Sequence, residues 1–588
     1  MSASKGNKTE KKQYGLLTMV AIIVGTVIGS GIFIKNTQLI DITDSALLSM
    51  IGWIIGGLIV ASMLIAFIEV SSITKIKNEQ GTFSAWSKYL WGEKLSKYIG
   101  VYFTLIYFPL ILAIETVFGA NALTGIFDMK ENVMFWATTI VTLIILIVAF
   151  LIINYSQRTG KGIISSGTMI KVIPLVSVML IAVIFLAGGH IEAGDSNVDG
   201  INNVFDPNAT INSGLHDETS NIMQILMILP AILFAFDGFL FANSVSTECK
   251  KPSTYRNGAI IAVFIITMVY ILFSLSSYMV ADGEVWDEEL GIYVLDSSQF
   301  GIETIFEGIW PGNTGKIIGK VVEVTIFISI ITATFSYAVS STWSIADFSN
   351  IDEIADVNGT LIRRNSAGMP IRAGMRMLGM ALVCLAFIRT VDGINILVLS
   401  SSGLNNGNLL TENDVSMTDY ASNITTMTNF TLYSVILIGA IKNRFTKKNE
   451  VEKSTGFFVF SFFAIFIMIF AVGDLAYTTI GGFVTSFEAL IFKNDVTVEA
   501  ADIKNAFGFI LWIIFFITLI VMTELVHKGT KQLTKSHLKH KAYYQKAYDE
   551  RITFSEYKSN HRQPVDFDHK ALIKMRKEVW HEFWSKHK

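Results

Sequence analysis

Long runs of apolar residues recur along most of this chain, separated by short polar stretches. A helix needs about 20 residues to cross the roughly 30 Å hydrocarbon core of a bilayer, and the runs have that length. The pattern predicts an all-α integral membrane protein with about twelve transmembrane helices. The predicted spans cover residues 14–36, 46–72, 97–124, 133–154, 162–188, 221–247, 257–281, 316–346, 370–391, 420–442, 455–476 and 505–527.

The polar loops between these spans alternate in charge. Lys and Arg are concentrated in the N-terminus and in residues 75–97, 158–161, 250–256, 363–376 and 442–453. The loops of the other set are acidic or neutral and cover residues 189–220, 281–300 and 392–420. Because cytoplasmic loops carry the excess of Lys and Arg, the alternation predicts that both termini are cytoplasmic.

The composition supports a protein whose main partner is the lipid bilayer. Of 588 residues, 51% are hydrophobic and 16% are charged, whereas about a quarter are charged in a soluble domain. The chain has no HExxH sequence and no Walker loop, and its polar residues form no continuous stripe of the kind that lines a channel. We therefore expect neither an enzyme nor a channel, and no cofactor, metal or nucleic acid.

The first apolar run contains a cluster of glycines halfway along its length. Gly25, Gly29 and Gly31 lie close together, with Ser30 between the last two. Each glycine makes a helix less favourable by about 1 kcal/mol, so the cluster predicts a helix that breaks inside the membrane. Irregular backbone is tolerated there only where it is buried or lines a cavity. The N–H groups exposed by a break can hold a carboxylate, which indicates a small anionic or zwitterionic solute.

The sixth apolar run contains a second unusual segment. Its centre reads FAFDGF, from Phe234 to Phe239, with Asp237 next to Gly238. An acid within an apolar span is costly and usually functional. The two weakened spans lie five spans apart, which is the spacing expected of an internal repeat with the binding site at the repeat interface.

Together these two motifs resemble the amino acid–polyamine–organocation (APC) superfamily of amino acid permeases. The resemblance rests on GTVIGSGIF, from Gly25 to Phe33, and on FAFDGFLFANSVSTECKKP, from Phe234 to Pro252. It implies the LeuT-type architecture of two inverted five-span repeats and two further spans. The implied division is a cytoplasmic N-terminus (1–13), a transporter domain (14–527) and a basic cytoplasmic tail (528–588). The transporter domain consists of repeat one (14–188), repeat two (221–442) and the extra spans (455–527).

The resemblance also implies a substrate site at the two breaks. Backbone N–H groups of the first break would bind the substrate carboxylate, and carbonyl groups of the sixth would accept from its ammonium group. Phe236 or Phe239 either closes over the bound solute or packs in the core. The residues of the predicted site are Gly29, Ser30, Gly31, Ile32, Phe234, Ala235, Phe236, Asp237, Gly238, Phe239 and Glu115.

Lys171 in the fifth span is the predicted coupling residue. It lies roughly 13 Å along a helix that starts near Gly162, which is close to the bilayer midplane. In some proton-coupled members of the resembled family a lysine takes the place of sodium, so the resemblance implies proton coupling. Alternatively, Lys171 pairs with an acid or extends to the surface. The hydroxyls considered for a sodium site are those of Thr332, Thr334 and Ser336, although such groups commonly bond their own helix.

Two acids within the spans, Glu115 and Asp237, allow more than one class of substrate. Glu115 and Asp237 could each pair with a cation, carry a proton or pair with Lys171. A substrate contact by Glu115 would favour a cationic amino acid or polyamine, whereas the alternative places Glu115 in solvent at the outer mouth. Leu240 stands where the family often has an acid, which weakens the case for a cationic substrate. Two further acids, Glu69 and Asp474, lie near predicted span ends and are expected to be interfacial or structural.

The expected function is secondary active transport of amino acids across the plasma membrane by alternating access, coupled to protons. The alternatives are exchange of amino acids, or of amino acids and polyamines, and a transporter-like sensor. The amino acid transported and the oligomeric state stay open. In the tail, a helical repeat predicts a basic amphipathic helix that packs under the membrane domain, lies on anionic lipid or acts as a regulatory plug. Its apolar residues are Leu572, Met575, Val579, Phe583 and Trp584.

Overall fold

The structure is a computed structural model. It describes residues 15–43, 45–76, 82–127, 131–155, 159–188 with gaps, 221–240, 252–280, 284–287, 292–295, 305–350 with gaps, 353–401 with gaps, 416–492 and 500–531. The predicted tail helix, the charged N-terminus and the second half of the sixth motif, residues 241–251, lie outside the described residues.

Helices account for nearly all of the described chain. In chain order the α-helices are α1 (Leu16–Val27), α2 (Gly31–Thr43), α3 (Ala46–Ile76), α4 (Phe83–Leu90), α5 (Glu93–Val101), α6 (Phe108–Thr124), α7 (Glu131–Tyr155), α8 (Val172–Gly188), α9 (Asn221–Ala235), α10 (Pro252–Val280), α11 (Asn313–Asn350), α12 (Ile371–Ser401), α13 (Met417–Thr446), α14 (Phe457–Phe492) and α15 (Ala500–Lys531).

The helices confirm the predicted all-α membrane protein. A helix, or a pair of half-helices, lies within every predicted span. Among the described residues, 8 helical segments are long and apolar enough to cross a membrane, and the shorter apolar helices are Asn221–Ala235 and Trp512–Val526. The span predicted to end at residue 476 continues as helix to Phe492. Asp474 therefore lies well inside α14 rather than near its end.

A small β-hairpin adds to the helices in the polar segment after α10. Its strands are β1 (Glu284–Asp287) and β2 (Ile292–Leu295), which pair antiparallel with Glu284 opposite Leu295. Hydrophobic periodicity did not predict it, because each strand has only four residues.

The third span is interrupted by a π-helix at Tyr102–Tyr107, between α5 and α6. Pro109 stands at the start of α6 and has no N–H to donate to the preceding turn. The N–H of Phe108 instead reaches back to the carbonyl of Phe103, five residues earlier. Such wide turns occur frequently at functional sites, and this one lies about two turns before Glu115.

By its internal contacts the chain divides into two compact units. The first is Met1–Gly92, Pro174–Gly319 and Thr426–Asp474, and the second is Glu93–Ile173, Lys320–Thr425 and Leu475–Lys588. Each unit includes segments from both predicted repeats. The division into repeats, extra spans and tail stays a prediction.

In the first unit α9 packs against α2 and α3, and α10 packs against α1 and α3. Glycines on α3 allow these close approaches, as small residues do between membrane helices. A Cβ on Gly52 would lie 2.7 Å from the Ile232 side chain, and one on Gly57 would lie 2.6 Å from Thr267 Oγ1. Gly52 thus lets α9 lie close to α3, and Gly57 does the same for α10.

An ion pair joins the ends of α3 and α13 in the first unit. Arg444 Nε and Nη2 donate to Glu69 Oε1 and Oε2 at 2.6 and 2.8 Å, and the Ser454 N–H donates to Oε2 at 2.9 Å. Glu69 is therefore structural, one of the two roles expected for it. A buried carboxylate with these partners avoids the cost of an isolated buried charge.

In the second unit α6, α7 and α12 pack together around a second buried charged pair. Arg389 on α12 donates to Thr139 Oγ1 at 3.0 Å and to the Phe135 carbonyl at 3.1 Å, and it lies 3.4 Å from Asp392. Asp392 in turn accepts the N–H of Met417 at 2.7 Å. The cluster ties α12 to α7 and to the start of α13.

Candidate functional site

The first span is broken, as predicted. Helix α1 ends at Val27, and Ile28 has extended backbone angles of φ −69° and ψ 103°. Helix α2 starts at Gly31, and the Ser30 carbonyl accepts its first intrahelical bonds. The first N–H groups of a helix have no intrahelical acceptor, so those of Gly31 and Ile32 form the positive end of α2.

The helix of the sixth span ends inside the predicted segment. Helix α9 ends at Ala235, and residues 236–240 form a turn. Gly238 has φ +90°, a conformation that glycine adopts without steric cost. Asp237 stabilises this turn, because its Oδ1 accepts the Gly238 N–H at 2.8 Å and its Oδ2 accepts from Asn429 Nδ2 at 3.1 Å.

The two interruptions, residues 28–30 and 236–240, together with the helix ends that flank them, are called the paired breaks below. They lie next to each other within the first unit. A Cβ on Gly31 would lie 2.7 Å from Ala235 Cβ and 3.1 Å from its nitrogen. The positive end of α2 thus lies beside the carbonyl end of α9. All the predicted site residues in 29–32 and 234–239 are buried there, which gives donors for a carboxylate and acceptors for an ammonium group.

Tyr270 on α10 contacts both breaks, and sequence reasoning missed it. Its hydroxyl donates to the Ala235 carbonyl at 2.8 Å and lies 3.5 Å from the Val27 carbonyl. These carbonyls belong to the last residues of α9 and α1. A buried tyrosine usually has a hydrogen-bond partner, but nothing in the sequence indicates where that partner lies.

Lys35 is a second residue that sequence reasoning missed. It follows Gly31 by one helical turn, is fully buried, and its Nζ lies 5.4 Å from the centre of the Phe234 ring. A cation at this distance from an aromatic face is attracted to it. The predicted first span, residues 14–36, already contained this lysine, and a charge within a membrane segment is itself a signal of function.

Phe236 and Phe239 both pack against aromatic rings in the first unit. Phe236 contacts Trp53 and Tyr270 with ring centres 6.2 and 5.1 Å apart. Phe239 contacts Phe430 and Tyr433 at 5.8 and 6.0 Å. Both side chains thus contribute to the packing of the sixth break, and a gating role for either stays a prediction.

The second unit contains the other two predicted site residues. Lys171 and Glu115 are both buried and attract each other electrostatically. The Lys171 N–H donates to the Gly167 carbonyl at 3.0 Å, just before α8. The structure therefore brings a buried amine and a buried carboxylate into interaction, one of the arrangements considered for Lys171. The predicted contact of Glu115 with substrate stays a prediction.

The hydroxyls considered for a sodium site all bond within their own helix. Thr332, Thr334 and Ser336 donate to the carbonyls of Ile328, Ile330 and Thr332 at 2.7, 3.1 and 3.0 Å. Within the described ranges, no cluster of three or more His, Cys, Asp or Glu side chains is placed to hold a metal ion.

Comparison with known proteins finds similar amino acid transporters. The serine/threonine exchanger SteT of Bacillus subtilis is 24% identical over 266 residues, which cover 44% of this chain and 53% of that protein. The b(0,+)-type amino acid transporter 1 of Mus musculus is 25% identical over 279 residues, covering 46% and 52%. The chain thus spans about half the length of these curated relatives.

The match to a protein family is more extensive. Residues 14–520 match the family model described as amino acid permease, and this range includes both breaks, Glu115 and Lys171. The chain belongs to the amino acid permease family.

Proposed function

We propose that this permease is a secondary active transporter that moves amino acids across the plasma membrane by alternating access, coupled to protons. The observation that carries the proposal is the contact of the paired breaks at Gly31 and Ala235. An amino acid has a carboxylate and an ammonium group on one carbon, and the adjoining helix ends offer partners for both.

In this proposal the carboxylate binds at the first N–H groups of α2, those of Gly31 and Ile32. The ammonium group binds at the carbonyls that follow α9. The Phe234 carbonyl accepts the Asp237 N–H at 3.0 Å, and the Ala235 carbonyl accepts from Tyr270 at 2.8 Å. Among the described residues, no hydrogen bond reaches the Phe236 carbonyl. We therefore assign the Phe236 carbonyl, together with the Ala235 carbonyl and its second lone pair, as the acceptors for the ammonium group.

Proton coupling is assigned to Lys171, with Glu115 as its partner. Both groups are buried within one unit and attract each other. Burial opposes the charged form of an amine, whereas a nearby carboxylate favours it, so a change in their separation changes proton binding. Such a pair can take up a proton on one side of the membrane and release it on the other.

Exchange of one amino acid for another is the second candidate. The observation in its favour is the similarity to a relative named as a serine/threonine exchanger. Exchange uses the same substrate site, and it differs in that the carrier returns only when a second amino acid is bound. In that case the interaction of Lys171 with Glu115 is structural.

The test is uptake of radiolabelled amino acids into proteoliposomes that contain the full-length protein. Three conditions are compared: an inward proton gradient, an inward sodium gradient, and preloading with unlabelled amino acids. Uptake driven by the proton gradient alone supports the proposal, and uptake only after preloading favours exchange. Binding of an amino acid without uptake in any condition would overturn transport and support the sensor alternative.

A further inference from the structure

Tyr270 links the paired breaks through a single hydroxyl group. We propose that Tyr270 is a positioning residue that sets the affinity of the paired breaks for amino acids, an inference that rests on the proposed function. It orients the Ala235 carbonyl and holds the end of α9 next to the end of α1. It contacts the backbone that forms the site and acts on the substrate through that backbone.

The hydrogen bonds explain why both breaks need this residue. The last carbonyls of a helix have no N–H donors from a following turn, and a buried carbonyl needs a partner from elsewhere. Ala235 and Val27 are the last residues of their helices, and the Tyr270 hydroxyl is 2.8 and 3.5 Å from their oxygens. One side chain on a third helix therefore serves the ends of both broken spans.

The two contacts are unequal, because a tyrosine hydroxyl has only one hydrogen to donate. The distance to Ala235 is that of a good O–H···O bond, whereas the distance to Val27 is at the outer edge of bonding. A carbonyl oxygen has two lone pairs, so the Ala235 oxygen can still accept from an ammonium group. Tyr270 thus orients this acceptor without blocking it.

The ring of Tyr270 is held independently of its hydroxyl. It is fully buried and makes edge contacts with Trp53 and Phe236, with ring centres 5.2 and 5.1 Å apart. The substitution Tyr270→Phe keeps these contacts and removes only the oxygen. Any change in affinity would then come from the lost hydrogen bonds rather than from a cavity.

Tyr278 on the same helix provides a matched control. It is also fully buried, and its hydroxyl lies 3.0 Å from the Asn36 carbonyl and 2.9 Å from Asn36 Oδ1. It lies about two turns further along α10, where it contacts α2 beyond the first break. Tyr278→Phe therefore removes equivalent hydrogen bonds and a comparable share of stability, but it leaves both breaks intact.

The first measurement is the concentration dependence of amino acid uptake by the full-length protein in proteoliposomes. For Tyr270→Phe we expect the half-saturating concentration to rise about 5- to 30-fold, the range expected when a buried hydrogen bond is lost, with the maximal rate within about a factor of three. For Tyr278→Phe we expect unchanged affinity. Equal affinities in the two variants, or tighter binding by Tyr270→Phe, would overturn the proposal.

The second measurement does not depend on transport. Hydrogen–deuterium exchange of the purified full chain should increase in Tyr270→Phe at both breaks, in the peptides that cover residues 24–31 and 233–240. In Tyr278→Phe it should increase only near Asn36. Unchanged exchange at either break in Tyr270→Phe would overturn the positioning role. If instead the wild-type protein neither binds nor transports amino acids, the proposed function fails, whatever the exchange experiment gives.

Discussion

The substitution Gly31→Ala tests the contact on which the proposed site depends. An alanine Cβ would lie 2.7 Å from Ala235 Cβ and 3.1 Å from the Ala235 nitrogen. Non-bonded carbon atoms pack at about 3.5–4.0 Å, so α2 and α9 would have to separate by about 1 Å. The atoms in the way are backbone and a Cβ, which have no rotamer to change. The half-helices themselves must move.

The expected loss of stability and affinity in Gly31→Ala follows from the cost of overpacking. Inserting a methyl group into a well-packed contact costs about 1–3 kcal/mol, and each 1.4 kcal/mol corresponds to about a tenfold change in an equilibrium constant. We therefore expect a lower thermal unfolding temperature and a half-saturating concentration for uptake raised roughly tenfold or more. Both are measured on the purified full-length protein, in detergent for unfolding and in proteoliposomes for uptake.

Gly379→Ala is the matched control for this experiment. Gly379 lies within α12, and a Cβ there would meet no atom within 4 Å. Alanine at this position should leave transport unchanged and favour the helix by about 1 kcal/mol. Wild-type affinity and stability in Gly31→Ala would refute the reasoning, because they would mean that the two half-helices are not in contact at this point.

Three further predictions test the remaining parts of the structure. Lys171→Ala should reduce proton-driven accumulation to roughly the level seen without a gradient while preserving some exchange, and full accumulation in this variant would rule out the coupling role. Gly238→Ala should lower the free energy of unfolding by about 1–2 kcal/mol, because the residue has φ +90° and a Cβ is disfavoured in a left-handed conformation; an unchanged unfolding temperature would contradict this. Glu69→Ala should cost about 3–5 kcal/mol, because it leaves the guanidinium of Arg444 without its carboxylate in a largely buried setting. The double variant with Arg444→Ala should recover part of that loss, and a double variant less stable than Glu69→Ala would count against the pairing.

Gly31 illustrates how a correct prediction can rest on an incomplete reason. The sequence indicated a break at this glycine because helix propensity is a local property. The expected role of the glycine was to break the helix and expose N–H groups that can hold a carboxylate. The structure adds a second reason, since a Cβ would collide with Ala235, about 200 residues away in the chain. Only the packing of α2 against α9 could reveal it.

The sequence by itself determined the class of protein, the positions of the spans and the locations of both breaks. These depend on the length of apolar runs and on glycine placement, which act over one or two turns of helix. Helix ends were less certain, as α14 illustrates, because its last residues, 477–492, mix apolar side chains with Gly, Ser and Thr and give no sharp end to the apolar run.

Only the tertiary structure decided which polar side chains meet. Tyr270 was one tyrosine among 18 until the fold placed its hydroxyl against the ends of α1 and α9. Asn429, whose amide donates to the Asp237 carboxylate at 3.1 Å, was not among the partners that the sequence suggested for this acid. Glu115 and Asp237 were both candidate partners for Lys171, and only the fold shows that Glu115 and Lys171 are buried in the same unit. A hydrogen bond or ion pair depends on distances of a few ångströms between atoms that can be hundreds of residues apart, so only the packed chain determines which groups meet.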